Sequence, residues 1–201
     1  MRFHPAFEKL RDCFGRLPGI GRRSAERLVF GLLTDQEGLL PELAAALREV
    51  EAQLRCCRMC GALTVAGEDP CRFCTDPGRD DGLLCVVEAT ADIMRIEQAG
   101  GYRGRYHALM GRLSPMGGMG VQDLRLAALL ERIERGAFRE VILALNSNVE
   151  SDATASFIRS RLAGRNLQVS RPAMGIPAGS GVAYADALTL ACAMKSRQAF
   201  Y

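Results

Sequence analysis

Apolar residues recur at helical spacing in three stretches at the start of the chain. In the first stretch they lie alternately four and three positions apart: Phe3, Phe7, Leu10, Phe14 and Leu17. The second stretch resumes at Ala25 and runs through residue 33. The third again places its apolar residues on one face: Leu40, Leu43, Leu47, Val50 and Leu54. The pattern predicts three amphipathic helices, and a capping box at residues 34–37, with Thr34 as N-cap, is expected to begin the third.

The apolar face of the first helix allows two interpretations. A helix of this kind usually turns its apolar stripe towards the core of its own chain. Contact with another subunit is the alternative, and in that case Phe7 would be one of the contacting residues.

From residue 83 onwards the pattern changes to short apolar runs that alternate with helical segments. The runs are typical of strands: Leu83–Glu88, Tyr106–Met110, Val141–Leu145 and Leu167–Ser170. The helical segments lie near residues 90–98, 122–135, 152–163 and 184–196. This alternation predicts an α/β region with a parallel sheet. Residues 56–79, between the two regions, have almost no apolar periodicity, so something other than a hydrophobic core is expected to hold them.

The composition is that of a globular protein, with 48% hydrophobic and 24% charged residues in 201. No apolar run reaches the roughly 18 residues that a membrane helix needs, and the first residues lack the apolar core of a signal peptide. A cytoplasmic protein with no membrane partner is therefore expected. Residues 1–33 hold seven basic and three acidic side chains, a net charge of +4, whereas the whole chain carries +3. Positive charge concentrated in this way is typical of a nucleic-acid partner.

A turn with two glycines separates the first two helices at residues 17–21, which read Leu-Pro-Gly-Ile-Gly. Gly19 and Gly21 allow a tight turn and the close approach of a ligand. The amides that follow stand at the start of a helix, where free N–H groups and the helix dipole favour an anion. Three arginines supply positive charge beside them: Arg22, Arg23 and Arg27. The pattern resembles the helix-hairpin-helix, which binds the DNA backbone without reading sequence, and a tight helix corner is the alternative.

Four of the eight cysteines form two Cys-x-x-Cys pairs: Cys57, Cys60, Cys71 and Cys74. In a reducing compartment such spacing favours a metal over disulfides, although a redox role remains an alternative. Four thiolates in two close pairs suit tetrahedral Zn²⁺, and a closed set of four leaves no open position, so one structural ion per chain is expected. Cys56 is adjacent, but only Cys57 leaves two residues before the next ligand.

A third group of polar residues follows two of the predicted strands. Glu88 ends the first strand of the α/β region, and the third strand is followed by Asn146, Asn148, Glu150 and Asp152. The carboxyl ends of parallel strands share one edge of the sheet, where sites form. This arrangement resembles the Toprim domain, in which an acidic residue and an Asp-x-Asp pair bind magnesium. Here Asn146 and Asn148 stand at the Asp-x-Asp positions, and neutral amides are poor ligands for a hard divalent ion.

The three motifs occur in the order and at the chain length of the bacterial recombination mediators of the RecR type. The resemblance covers essentially the whole chain and includes several shorter segments: residues 17–21, 69–71, 102–107, 113–116 and 184–186. It implies an α+β chain of four parts. These are a helix-hairpin-helix region at 1–55, a four-cysteine zinc finger at 56–79, an α/β Toprim domain at 80–175, and a C-terminal loop and helix at 176–201.

The resemblance also implies a function and partners. Such proteins are non-enzymatic and act in recombinational DNA repair. They form a ring-shaped homotetramer that binds single- and double-stranded DNA without sequence preference, and with RecO and RecF they promote the loading of RecA onto single-stranded DNA. The degenerate Toprim residues would then serve at most as an ion or partner contact, since Glu88, Glu150 and Asp152 retain carboxylates.

Two other classes of function remain open at this point. One is a magnesium-dependent Toprim nuclease or a primase-like enzyme, which Asn146 and Asn148 argue against. The other is a zinc-ribbon protein that binds only other proteins, which the N-terminal arginines argue against.

Overall fold

The structure is a computed structural model that describes residues 3–173, 175–177 and 179–197. It divides into two compact units, residues 1–54 and residues 55–201. We call them the N-terminal unit and the C-terminal unit. None of the helices in the described ranges is long and apolar enough to cross a membrane.

The N-terminal unit consists of three helices: α1 (Pro5–Gly15), α2 (Arg22–Thr34) and α3 (Leu39–Gln53). Pro5 suits the first position of α1 because its missing N–H would have no helical partner there. Phe3 and Phe7 stack with ring centroids 4.4 Å apart, and both pack against Phe30 of α2. The aromatic start of the α1 stripe therefore belongs to the core of its own unit.

The expected capping box at the start of the third helix is wrong. Thr34 is the last residue of α2, and its hydroxyl donates to the Phe30 carbonyl one turn back. The carboxylate of Asp35 accepts hydrogen bonds from the amides of Glu37 and Leu39, at 3.1 and 2.8 Å. Asp35 takes these amides instead of Thr34 because a carboxylate is a stronger hydrogen-bond acceptor than a hydroxyl. Helix α3 therefore begins five residues after Thr34.

Helix α3 forms where its periodicity predicts, but most of its apolar stripe faces outwards. Leu47 is 62% exposed and Val50 is 54% exposed. In the described part of the chain α3 has no fully buried residue. The N-terminal unit therefore presents an apolar helix face to its surroundings.

The C-terminal unit begins with the four-cysteine finger, which contains two short strands and one helical turn. The strands β1 (Leu54–Cys56) and β2 (Leu63–Val65) form a two-stranded sheet, and α4 (Arg72–Thr75) follows. A parallel sheet comes next, made of β3 (Asp80–Val87), β4 (Gly104–Ala108), β5 (Glu140–Ala144) and β6 (Gln168–Ser170). Its strand order is β4-β3-β5-β6.

The predicted parallel sheet is confirmed, and each pair of neighbouring strands runs in the same direction. The accompanying helices are α5 (Thr90–Ala99), α6 (Leu126–Arg135), α7 (Val149–Leu162) and α8 (Ala187–Lys195). Short 3₁₀ turns lie at Val121–Asp123 and Val182–Tyr184. Because successive strand residues face opposite sides, Leu84 and Val86 pack against α6 and α7, whereas Cys85 and Val87 face the other layer.

The expectation that the finger is held without a hydrophobic core is wrong. Cys57, Cys60 and Phe73 are buried in one apolar cluster with Val87 and Tyr106 of the sheet. The ring of Phe73 meets Tyr106 edge to face, with centroids 5.9 Å apart. The prediction failed because it relied on periodicity. The irregular cysteine knuckles contribute a few apolar side chains to the core without a repeating pattern.

A partly buried ion pair fastens the end of the finger to the sheet. The guanidinium of Arg79 donates to both carboxylate oxygens of Glu97 on α5, and the Tyr106 hydroxyl donates to the same carboxylate at 2.6 Å. Arg79 also lies over the rings of Phe73 and Tyr106. Burial acts to raise the pKa of Glu97, but the hydrogen bonds from Arg79 and Tyr106 hold it below its ordinary value.

We expect Glu97→Gln to lower the free energy of unfolding by about 3 kcal/mol, because it leaves the Arg79 cation buried without its partner. The native pKa of Glu97 is lowered. The carboxylate therefore stabilises the fold above its unfolded pKa of about 4.3, and this stabilisation is lost as pH falls through the native pKa. Urea unfolding at neutral and acidic pH measures both effects. Glu134→Gln, which breaks the exposed pair with Arg165, should cost less than about 1 kcal/mol. Equal unfolding midpoints for the two variants would contradict this account.

Candidate nucleic-acid interface and metal centre

The turn between α1 and α2 is built around one left-handed residue. Gly19 has φ +78°, a conformation that strongly favours glycine. The turn is closed by a 3.1 Å hydrogen bond from the Ile20 amide to the Leu17 carbonyl. A Cβ atom at Gly19 or Gly21 would meet nothing within 4 Å. The backbone of the turn is therefore open to close approach from outside.

The start of α2 carries no side-chain cap. Gly21 is the N-cap and has no side chain that could accept a hydrogen bond. Its carbonyl accepts a hydrogen bond from the Ala25 amide at 2.9 Å. The first amides of the helix, at residues 22–24, are left for an external acceptor. Free N–H groups and the positive end of the helix dipole together favour an anion such as phosphate.

The structure divides the three predicted hairpin arginines into two groups. Arg22 lines a groove of about 350 Å³ at this turn, together with Arg11 and Arg16. Arg23 and Arg27 do not line the groove; they lie one helical turn apart along α2. In the described parts of the chain, the three predicted arginines and Arg16 form no ion pair.

Sequence reasoning counted Arg11 and Arg16 in the charge of this region but did not assign them to the site. Arg11 lies on the last turns of α1 and is oriented by Asp12, which accepts from its Nε and Nη2 at 3.0 and 2.8 Å. A basic residue on each side of the end of α1 was the available signal. No sequence motif includes Arg11 and Arg16 together, because the groove that they line forms only when α1 and α2 pack.

The four paired cysteines come together as their spacing predicts. Their sulfur atoms all lie within 4.8 Å of one another, and the Cys60 and Cys71 sulfurs are 3.4 Å apart. Tetrahedral ligands at about 2.3 Å from a zinc ion would stand about 3.8 Å apart, so the cluster fits a metal ion. Hydrogen-bonding contacts with the sulfurs of Cys60 and Cys74 hold the pKa of Cys71 below its ordinary value.

Backbone amides also point at the cluster. The Cys71 amide donates to the Cys57 sulfur and the Ala62 amide donates to the Cys60 sulfur, each at 3.4 Å. Amide donors of this kind stabilise negative charge on sulfur, which a metal ligand requires. Cys56 is exposed and faces the Thr90 hydroxyl at 3.8 Å instead. The structure therefore separates Cys56 from the four clustered thiols.

The first cysteine knuckle is docked against the outer edge of β4. The Ala108 amide donates to the Cys60 carbonyl at 2.7 Å. Arg125 donates to the carbonyls of Ala108 and Met59, at 3.3 and 3.2 Å. Gly61 has φ +81°, and a Cβ there would stand 2.6 Å from the Arg125 guanidinium. Glycine at this position is therefore needed for both the turn and the close contact.

At the carboxyl end of the sheet, Glu88 and Asn146 are in direct contact. Glu88 is 5% exposed, and its two carboxylate oxygens accept from the backbone amide and the side-chain amide of Asn146, each at 2.8 Å. An aspartate at position 146 would repel this carboxylate, whereas asparagine satisfies it. The substitution that departs from the Toprim pattern thus removes the need for a cation between the two side chains.

The remaining residues of this edge are also occupied. Asn148 caps α7 by accepting from the Ser151 amide at 2.9 Å. Glu150 accepts from the Ser114 hydroxyl and from Nε of Arg112 at 2.6 Å, and these hydrogen bonds lower its pKa. Asp152 lies apart from the group and pairs with Arg171 at 3.0 Å.

Arg112 is the residue of this edge that sequence reasoning did not assign to it. Its guanidinium pairs with Glu150 and stands 3.6 Å from Glu88. It therefore places a fixed positive charge beside the two carboxylates that a magnesium ion would need. Its single charge offsets one of the two carboxylates, and the hydrogen bonds from Asn146 and Ser114 satisfy the oxygens further.

Comparisons with known proteins agree with this architecture. The family model "RecR, helix-hairpin-helix" matches residues 7–51, a Toprim domain model matches residues 82–173, and "RecR, C-terminal" matches residues 175–198. The protein named recombination protein RecR from Syntrophobacter fumaroxidans is 46% identical over 198 residues, which is 98% of each chain. The chain belongs to the RecR family. RecR proteins of Parvibaculum lavamentivorans and Syntrophotalea carbinolica are each 44% identical over 98% of both chains.

Family membership confirms the predicted order of parts in this RecR chain. The helix-hairpin-helix precedes the four-cysteine cluster, and the Toprim domain with its parallel sheet follows. The four-cysteine cluster can hold a metal ion.

We expect millimolar Mg²⁺ to leave the melting temperature of the protein unchanged, because Arg112 already pairs with Glu150 and stands beside Glu88, where a cation would have to lie. The triple variant Arg112→Ala/Asn146→Asp/Asn148→Asp frees Glu150 and restores the Asp-x-Asp pair. It should then gain thermal stability with Mg²⁺. Differential scanning calorimetry with and without Mg²⁺ measures this.

The matched control is Asn146→Asp/Asn148→Asp with Arg112 retained, for which we expect a smaller rise. A Mg²⁺-dependent rise in the parent protein would show that the edge holds a cation as it stands.

Proposed function

We propose that this RecR protein is a DNA-binding mediator of recombinational DNA repair. The observation that carries the proposal is the uncapped start of α2 beside arginines that form no described ion pair. Anionic phosphate is the ligand that such amides and guanidinium groups jointly suit. The parts that serve this function are the helix-hairpin-helix region at 1–55, the finger at 56–79, the Toprim domain at 80–175, and the C-terminal loop and helix at 176–201.

The proposed DNA contact is made by Gly19, Gly21, Arg22, Arg23 and Arg27. Backbone amides and guanidinium groups at a helix start recognise phosphates, which are alike in every sequence. Binding is therefore expected to be independent of sequence and to include both single- and double-stranded DNA. Arg11 and Arg16 extend the same surface through the groove that they share with Arg22.

We assign Zn²⁺ to the cluster of Cys57, Cys60, Cys71 and Cys74. The all-sulfur ligand set and the closed geometry favour zinc with a structural role. The ion would hold the two knuckles together. Because the first knuckle is hydrogen-bonded to β4, the ion would also stabilise that edge of the sheet.

The purified protein should contain about one zinc ion per chain, bound to sulfur at roughly 2.3 Å. Cys57→Ser and Cys71→Ser should each lower the zinc content and destabilise the fold, since metal-binding energy is partly folding energy. Metal analysis and X-ray absorption measure these outcomes. Cys56→Ser is the matched control, because its sulfur stands outside the cluster. Full zinc retention in both Cys57→Ser and Cys71→Ser would refute the ligand assignment.

The proposed partners follow from family membership together with surfaces on this chain. We propose a ring-shaped homotetramer, for which the exposed apolar face of α3 offers one symmetric contact. We further propose that the protein acts with RecO and RecF to load RecA onto single-stranded DNA. The degenerate Toprim edge, with its exposed Arg112–Glu150 pair, is proposed as a partner contact.

We propose no catalytic residue in this chain. The alternative of a magnesium-dependent nuclease or primase-like enzyme needs free carboxylates at the Toprim edge. Arg112, Ser114 and Asn146 occupy the carboxylates of Glu88 and Glu150.

The double variant Arg23→Ala/Arg27→Ala tests the DNA contact. Removing an arginine that contacts a phosphate should make the plot of log affinity against log salt concentration less steep by about one unit. The effect should be similar for every DNA sequence. Fluorescence anisotropy over a salt titration measures both the slope and the affinity.

The matched control is Arg159→Ala/Arg161→Ala, which removes the same charge from α7. If the hairpin variant keeps its zinc, remains folded and binds DNA as the parent does at moderate salt, the proposed contact is wrong.

A further inference from the structure

A second basic cleft lies in the C-terminal unit, between the first cysteine knuckle and α6. It has a volume of about 440 Å³, within the range of about 300–1,000 Å³ that is usual for small-ligand sites. Four arginines line it: Arg58, Arg105, Arg132 and Arg135. Met59 and Phe138 also line the cleft, so it combines positive charge with apolar surface.

Two of these arginines are fixed in place by the fold. Arg105 is 7% exposed and is oriented by Asp81 at 2.6 Å and by the Phe73 carbonyl at 3.0 Å. One guanidinium nitrogen of Arg132 donates a hydrogen bond to the Tyr106 carbonyl. The guanidinium carbon lies 6.0 Å from the centre of the Phe138 ring. The other nitrogens of Arg132 have no hydrogen-bond partner among the described residues. These donors are thus oriented in advance, which lowers the entropic cost of binding.

The other two arginines stand at the rim. Arg58 is 76% exposed and is 3.7 Å from its nearest carboxylate, that of Asp69. Arg135 is 79% exposed and pairs with Glu131 on the same helix. Among the lining residues, Asp81 and Glu131 are the acids, so four positive charges face two negative ones. The cleft therefore keeps a positive balance that an anion can use.

We propose that this cleft binds one nucleotide unit of single-stranded DNA, with its phosphate on the arginines and its base against Phe138 and Met59. The inference rests on the proposed function, because it assumes that the protein handles DNA. Positive grooves with an aromatic side chain are the usual construction of sites for single strands. The cleft has room for a single nucleotide and is too small to take up a duplex, so it discriminates between the two forms of DNA.

The cleft would give the C-terminal unit a DNA contact that does not depend on the hairpin. Arg58 and Met59 lie between the metal ligands Cys57 and Cys60, so the order of the finger sets the shape of the cleft.

The test compares the full-length double variant Arg58→Gln/Arg132→Gln with the parent on oligothymidylate and on a duplex of equal length. Two lost phosphate contacts should flatten the salt slope for the single strand by about 1.4 units. The affinity for the single strand should fall about tenfold, while duplex affinity stays unchanged. Arg159→Gln/Arg161→Gln, with the same loss of charge on α7, should bind both forms as the parent does.

A second variant guards against misfolding, because Arg132 also satisfies the Tyr106 carbonyl. Arg58→Glu/Arg135→Glu changes only exposed side chains and should weaken single-strand binding at least as much. Unchanged oligothymidylate affinity in this folded, zinc-loaded variant overturns the inference.

Three further outcomes separate the possible errors. If the hairpin variant Arg23→Ala/Arg27→Ala loses affinity and the cleft variants do not, the cleft inference fails and the proposed function stands. If the parent binds neither DNA, both fail. If poly-glutamate binds the parent but not the cleft variants, and their DNA affinity is unchanged, the cleft takes an acidic peptide and the inference is wrong.

Discussion

The hydrogen bond from the Ala108 amide to the Cys60 carbonyl joins the cysteine knuckle to the outer edge of β4. An unpaired edge strand exposes a row of amides and carbonyls that can pair with another chain. Here Cys60, Arg125 and Arg132 occupy that row by bonding the backbone of Tyr106 and Ala108. Since the same knuckle supplies buried side chains to one layer of the sheet, the finger and the Toprim fold stabilise each other.

This coupling assigns different tasks to the two units. The C-terminal unit pairs several of its arginines with its own carboxylates, as in Arg79–Glu97 and Arg112–Glu150. The start of α2 does the opposite, because its amides have no cap and Arg22, Arg23 and Arg27 form no described ion pair. Charges that the fold does not use are the ones available to a ligand. The nitrogens of Arg132 that have no partner among the described residues are available in the cleft in the same way.

Local patterns were sufficient to predict much of this fold. Periodicity located the three N-terminal helices and the four strands of the sheet, and cysteine spacing identified the four thiols that cluster. The start of α3 was mispredicted because Asp35 competes with Thr34 for the same amides, and residue type alone does not decide that competition. The shared core of finger and sheet was missed since Phe73 meets Tyr106 only after residues far apart in the chain pack. Arg112 was likewise unassigned, because its partners lie 24 and 38 positions away.

Hydrogen exchange at the amides of β4 tests whether the four-cysteine finger and the sheet form one structural unit. The measurement compares the zinc-loaded protein with protein from which a chelator has removed the metal. If the finger and the sheet form one unit, as we infer, protection at Ala108 and its neighbours in β4 collapses on metal removal, while α1 and α2 keep theirs. Unchanged protection of β4 in the metal-free protein would contradict this inference, because the knuckle would then contribute nothing to the edge that it covers.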